Sequence, residues 1–173
     1  SFRLTLVGKG VHGAHPHNGI DPIVAGAHFV TALQSIVGRN VDPLESAVIS
    51  VGQFQSGTAP NIIPNEAVLT GTVRTFKTEV RDLVMARLQA LADSLTGAFQ
   101  VTVDYRFLPG VPSTVNDAAV AADLYAAAAE VLGAENVAYL APKMGGEDFG
   151  LFTQLVPGAF MRLGCANAGR GIT

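Results

Sequence analysis

Only 14% of the 173 residues are charged, and the 11 basic and 14 acidic side chains are interleaved with a formal balance of −3. There is no basic block of the kind that tracks a nucleic-acid backbone, so nothing marks the chain as a nucleic-acid binder. Long apolar runs are missing too. The longest, Ala118 to Ala122 and Leu124 to Ala129, are alanine-rich and split by Asp123, whereas a bilayer-spanning helix needs roughly 20 residues. Cysteine occurs once, at Cys165. That excludes an intrachain disulfide framework and fits a reducing compartment, so a cytoplasmic setting is expected. Ser1-Phe2-Arg3 runs directly into an alternating pattern with neither an initiator Met nor a signal-peptide core. The sequence is therefore expected to be part of a longer chain.

What is present is an apolar half, 49% of the residues, enough for one domain or for a small domain and a fragment. Phe2, Leu4 and Leu6 alternate with polar residues, the period of a half-buried strand. The segment from Gly8 to Gly19, with its glycines, a proline and three histidines, reads as a loop. Ile23, Ala27, Val30, Leu33, Ile36 and Val37 then fall at helical spacing behind Asp21-Pro22, a cap and first-turn pair. Two strands, Ser46 to Phe54 and Ala67 to Phe76, flank a Gly/Pro-rich connection from Ser56 to Asn65. A second helix spans Thr78 to Leu95, with Thr78 as its cap and Gly97 as its stop, and a fourth strand spans Phe99 to Phe107. The order βαββαβ predicts an α+β, ferredoxin-like two-layer sandwich: an antiparallel sheet with both helices on one face.

Beyond the linker Leu108 to Pro112, an alanine-rich helix from Asn116 to Leu132 is expected. Further on come short strands at Val137 to Leu140 and Ala159 to Leu163, and a short helix ending near Leu155. So few elements do not close a core unaided. The division expected is therefore 1–112 and 113–173.

Three features could carry chemistry. His12, His15 and His17 share one loop, but no carboxylate or thiolate beside them completes a zinc site, so a histidine-only metal centre is the weaker reading. His28, inside the first helix, reads as structural. Arg74 follows Asn61 by thirteen residues, in a strand otherwise made of Val, Thr and Gly. A guanidinium there is costly to bury unless its planar fork meets an anion, either a ligand carboxylate or an intramolecular acid. Gly146-Glu147-Asp148-Phe149 has the composition of a helix start, with acids placed to complement the macrodipole.

Taken in order, Gly8-x-Gly10-x-His12-Gly13-Ala14-x-Pro16-His17 with Asp21-Pro22, then Asn61-Ile62-Ile63-Pro64, Gly71-Thr72-Val73-Arg74 and Gly146-Glu147-Asp148-Phe149, resemble the aminoacylase/carboxypeptidase metallopeptidases. The resemblance is to their amidohydrolase subgroup, which holds hippurate hydrolases, auxin-conjugate hydrolases and N-acyl-amino-acid deacylases. It covers almost the whole chain. It implies that residues 1–112 are a dimerisation lid pairing as a homodimer, and that the rest is a C-terminal piece of the catalytic domain. It also implies a catalytic role for His12 as oxyanion donor in the partner's active site, with Asn61 and Arg74 gripping the substrate carboxylate and Gly146 and Glu147 near the cleft. The substrate implied is a small N-acyl amino acid. The divalent metal pair (zinc, manganese or cobalt) implied for the intact enzyme would have its ligands outside this chain, which alone would be inactive. Cys165 does not match a ligand position and reads as an inert, buried thiol. The competing reading is a non-catalytic ferredoxin-like module that binds an amino acid at a dimer interface, since fold alone does not separate the two.

Overall fold

The computed structural model describes residues 1–166 and 168–171. Its chain divides into two compact units, Ser1–Gly110 and Val111–Thr173, so the break lies within the linker that the sequence marks.

The first unit is a four-stranded antiparallel sheet made of β1 (Phe2–Val7), β3 (Ala47–Ser56), β5 (Glu66–Thr75) and β6 (Thr102–Phe107), in the order β3-β5-β1-β6. A separate ribbon pairs β2 (Val11–His12) with β4 (Ile62–Ile63). The first strand is central, paired with β5 on one side and β6 on the other. That is the ferredoxin-like arrangement of a βαββαβ chain, with α1 (Pro22–Ala32), the short α2 (Gln34–Arg39) and α3 (Thr78–Phe99). Phe2, Leu4, Leu6, Ala67 and Leu69 are fully buried and belong to one core with Phe29 and Leu33 of the first helical segment and Val84 and Leu88 of α3. Gly26 lets α1 approach the sheet closely, because a Cβ there would lie 2.6 Å from the ring of Phe54. The alternate residues Arg3, Thr5, Thr70 and Asp104 lie on the opposite, open face, as a period of two requires.

Local signals were partly overridden. Asp21 does cap α1, accepting from Ile23 N–H at 2.8 Å and Val24 N–H at 3.3 Å. The helix breaks at Leu33, however, into α1 and α2. Thr78 is the first helical residue of α3 and not its cap, Gly97 lies inside the helix, and the stop is Gln100 at φ 61°. Burial of Val80, Val84, Leu88, Ala92 and Leu95 on one stripe carries α3 past the glycine, whose helix penalty is only about 1 kcal/mol.

The second unit holds α4 (Ala118–Leu132) and α5 (Phe149–Thr153). Asp117 caps α4 through Ala119 N–H and Val120 N–H, both at 3.0 Å. Phe149 packs near Phe152 and Phe160, with ring centroids 6.0 and 5.7 Å away. Neither expected strand forms: 137–140 and 159–163 have no ladder partner among the described residues, and without one a β pattern has nothing to bond to. Cys165 is exposed, which corrects the buried reading: no described apolar side chain of this unit is buried that could cover it.

Candidate functional site

The histidine loop is more ordered than its composition implies. Its base is closed by Lys9 N–H to Ile20 O at 2.9 Å and Ile20 N–H to Lys9 O at 3.0 Å. Between them, β2 lies antiparallel on β4 with Val11 opposite Ile63 and His12 opposite Ile62. Gly13 N–H donates to Asn61 O at 2.8 Å, so His12 and Asn61 are brought together at one edge of the ribbon. Both are exposed. The His12 ring is held by its own loop: Ala14 N–H donates to Nδ1 at 3.1 Å. His15 and His17 follow as a row of rings, with centroid separations of 5.9 Å from His12 to His15 and 6.3 Å from His15 to His17. Among the described residues, no group of three or more His, Cys, Asp or Glu side chains could hold a metal ion.

Arg74 stands elsewhere. Along β5, Glu66 pairs with Val7 at the end of the sheet from which the histidine ribbon departs, while Arg74 lies beyond Gly71, the partner of Phe2, at the other end. At about 3.3 Å per residue, the run from Glu66 to Arg74 spans roughly 26 Å. The structure thus joins His12 with Asn61 and separates both from Arg74. The guanidinium is exposed, so the expected cost of burial does not arise, and no ion pair engages it among the described residues. A shallow depression of about 300 Å³ on the open face, lined by Arg3, Ser50, Thr70 and Thr72, includes none of the three residues.

Gly146 and Glu147 belong to the second unit, where the Glu147 carboxylate accepts from Phe149 N–H at 3.3 Å at the start of α5. His28 is exposed on α1, its ring 4.8 Å from that of Phe99, in a packing position. One residue that the sequence did not single out is Asn65. Its side-chain oxygen accepts from Gly10 N–H at 2.7 Å and its carbonyl from Gly8 N–H at 2.8 Å. No spacing rule links positions so far apart in the chain.

An antiparallel ferredoxin-like unit that presents a histidine ribbon at one end of its sheet is a recognisable class, and comparison with known proteins gives it a family. Residues 1–100 match the peptidase dimerisation domain of the M20 family. The chain belongs to that family. It is 39% identical over 163 residues to an N-acetyl-L-cysteine deacetylase of Bacillus subtilis, covering 94% of this chain and 39% of that protein. To an IAA-amino acid hydrolase of Arabidopsis thaliana it is 35% identical over 173 residues, covering 98% and 39%. Among solved structures, a dinuclear metal-binding peptidase of the M20 family from Bacillus subtilis superposes with a TM-score of 0.66 at 30% identity, over 91% of this chain and 38% of that one. The chain spans about two fifths of the length of these relatives. No described helix is long and apolar enough to cross a membrane.

Proposed function

We propose that this chain is the dimerisation lid, with a following piece of the catalytic body, of a metal-dependent amidohydrolase that removes the acyl group from small N-acyl amino acids. The observation that carries the reading is the clamped ribbon, which offers an exposed imidazole beside Asn61 with no metal-binding cluster around it. The deacetylase and hydrolase activities named for the relatives favour an enzyme over a non-catalytic amino-acid-binding module. The described residues form no cluster that could hold a metal ion, and the metal pair of the intact enzyme is assigned to segments outside this chain. His12 contributes an N–H donor to the oxyanion that develops as the amide carbonyl becomes tetrahedral, and Asn61 orients the scissile amide. Arg74 takes the substrate carboxylate through its planar fork. Gly146 and Glu147 are kept as candidate substrate-binding residues on their motif alone.

Arg74 lies at the end of the sheet opposite the His12–Asn61 ribbon, about 26 Å along β5 from Glu66, so the three residues of one protomer do not grip one small substrate. In a homodimer the assignment requires each active site to draw Arg74 from one protomer and His12 with Asn61 from its partner. In the complete enzyme, His12→Ala should lower kcat about a hundredfold, roughly 3 kcal/mol, with KM nearly unchanged. Arg74→Ala should mainly raise KM, with Arg74→Lys recovering only part. Mixing the His12→Ala and Arg74→Ala proteins then rebuilds one intact site per heterodimer, and random exchange should return about a quarter of wild-type activity at substrate well below KM, where both parents are slow. No recovery after verified subunit exchange would mean that each site draws His12 and Arg74 from the same protomer, and would overturn the assignment.

A further inference from the structure

The ribbon that carries His12 has no core of its own. Val11 and Ile63 are half-buried, His12 and Ile62 are exposed, and a pair of two-residue strands has too few contacts to hold a register by packing. Its geometry must come from hydrogen bonds, and Asn65 supplies two of them at the root: Gly10 N–H to Oδ1 at 2.7 Å and Gly8 N–H to the carbonyl at 2.8 Å. A Cβ at position 10 would lie 2.8 Å from that Oδ1, so glycine there is what allows the carboxamide to reach the backbone. With β2 fixed at Gly8 and Gly10, its far end meets Asn61 through Gly13 N–H, and the next amide, Ala14 N–H, turns back onto His12 Nδ1.

That last contact selects a tautomer. A neutral imidazole has one N–H and one bare nitrogen, and a nitrogen that accepts from a backbone amide must be the bare one. The proton of neutral His12 therefore sits on Nε2, the ring atom that is free to face a substrate. We propose that Asn65 is a positioning residue of this site: by holding β2 in register it keeps His12 as the Nε2–H donor beside Asn61. The proposal rests on the reading of His12 as an oxyanion donor, but its structural content is measurable without turnover.

The test is 15N NMR of the imidazoles of this chain at about pH 8, where a free imidazole is neutral. His12 should show a protonated Nε2 and a bare Nδ1, distinct from the averaged signals of the exposed His15 and His17. Asn65→Ala should move His12 toward that averaged pattern. Asn65→Asp, which keeps an oxygen for Gly10 N–H, should restore it. Asn65 is exposed and outside the buried core, and unchanged far-UV circular dichroism will verify that the fold survives. In the complete enzyme Asn65→Ala should lower kcat about tenfold at nearly constant KM, with Asn65→Asp recovering most of it. A wild-type His12 that averages like His15 overturns the proposal whether or not any variant folds, and so does an Asn65→Ala spectrum identical to wild type. If the tautomer follows Asn65 while His12→Ala leaves kcat intact, the positioning stands and the catalytic reading of His12 falls.

Discussion

Every buried apolar side chain among the described residues lies between Phe2 and Val101, and the second unit contributes none. Yet the second unit is not poor in apolar residues: Val131, Tyr139, Leu155 and Leu163 are each more than 70% exposed. The contrast between α1 and α4 makes the point. Both are short, apolar helices started by an aspartate that accepts two amide protons. One closes over Phe2, Leu4 and Leu69 and buries Ala25 and Phe29; the other buries nothing. Apolar composition becomes a core only when a second surface faces it, since the driving force is area removed from water and not hydrophobicity as such. The first unit has that surface in its own sheet.

The contrast can be broken most severely by truncation. Leu88→Ala empties a fully buried site on α3 and should cost about 2–5 kcal/mol of unfolding free energy. Leu155→Ala, at a side chain that is 82% exposed, should change the denaturation midpoint of the first unit negligibly. Parallel urea titrations followed by tryptophan-free probes such as circular dichroism would check both, and equal losses would refute the division.

A smaller effect separates the two caps. Asp21→Ala should destabilise the first unit by about 1 kcal/mol, because α1 is part of its cooperative core. Asp117→Ala should reduce the local protection of α4 amides against hydrogen exchange while leaving the slow amides of β1 and β5 untouched. Loss of protection in β1 from the Asp117 change would show that the two units unfold together.

The smallest effect lies at the edge of the sheet. Tyr105 stacks on Phe2 with centroids 6.2 Å apart, and its covered hydroxyl has no hydrogen-bond partner among the described residues. Burial pushes its pKa up from 10.0 to about 12. The folded state thus keeps its proton where the unfolded chain has lost it, so this contribution is intact below about pH 10 and fades as pH climbs toward about 12. Tyr105→Phe should flatten that alkaline loss and, by removing an unsatisfied hydroxyl, leave neutral-pH stability equal or up to about 1 kcal/mol higher. Denaturation at a series of alkaline pH values tests the sign, and a Phe variant that loses stability at neutral pH would mean the hydroxyl has a partner.

Much of this molecule was legible in order. The alternation of Phe2, Leu4 and Leu6, the Asp21-Pro22 start and the apolar stripe of α3 each depend on residues a few positions apart, and each formed where the pattern lay. Strands 137–140 and 159–163 failed for the converse reason: alternation proposes a strand, but only a neighbour with free amides makes one. The candidate site divides in the same way. The sequence by itself singled out His12, Asn61 and Arg74 as the candidate residues, because their identities and order are local facts. Only the tertiary structure decided that β1 runs between β5 and β6, that β2 folds onto β4 to set His12 beside Asn61, and that Arg74 ends up at the far end of the same sheet. Those placements follow from pairings between residues fifty or more positions apart, set by the shared burial of one sheet face and by single amide contacts such as Gly10 to Asn65. Neither leaves a periodicity in the chain.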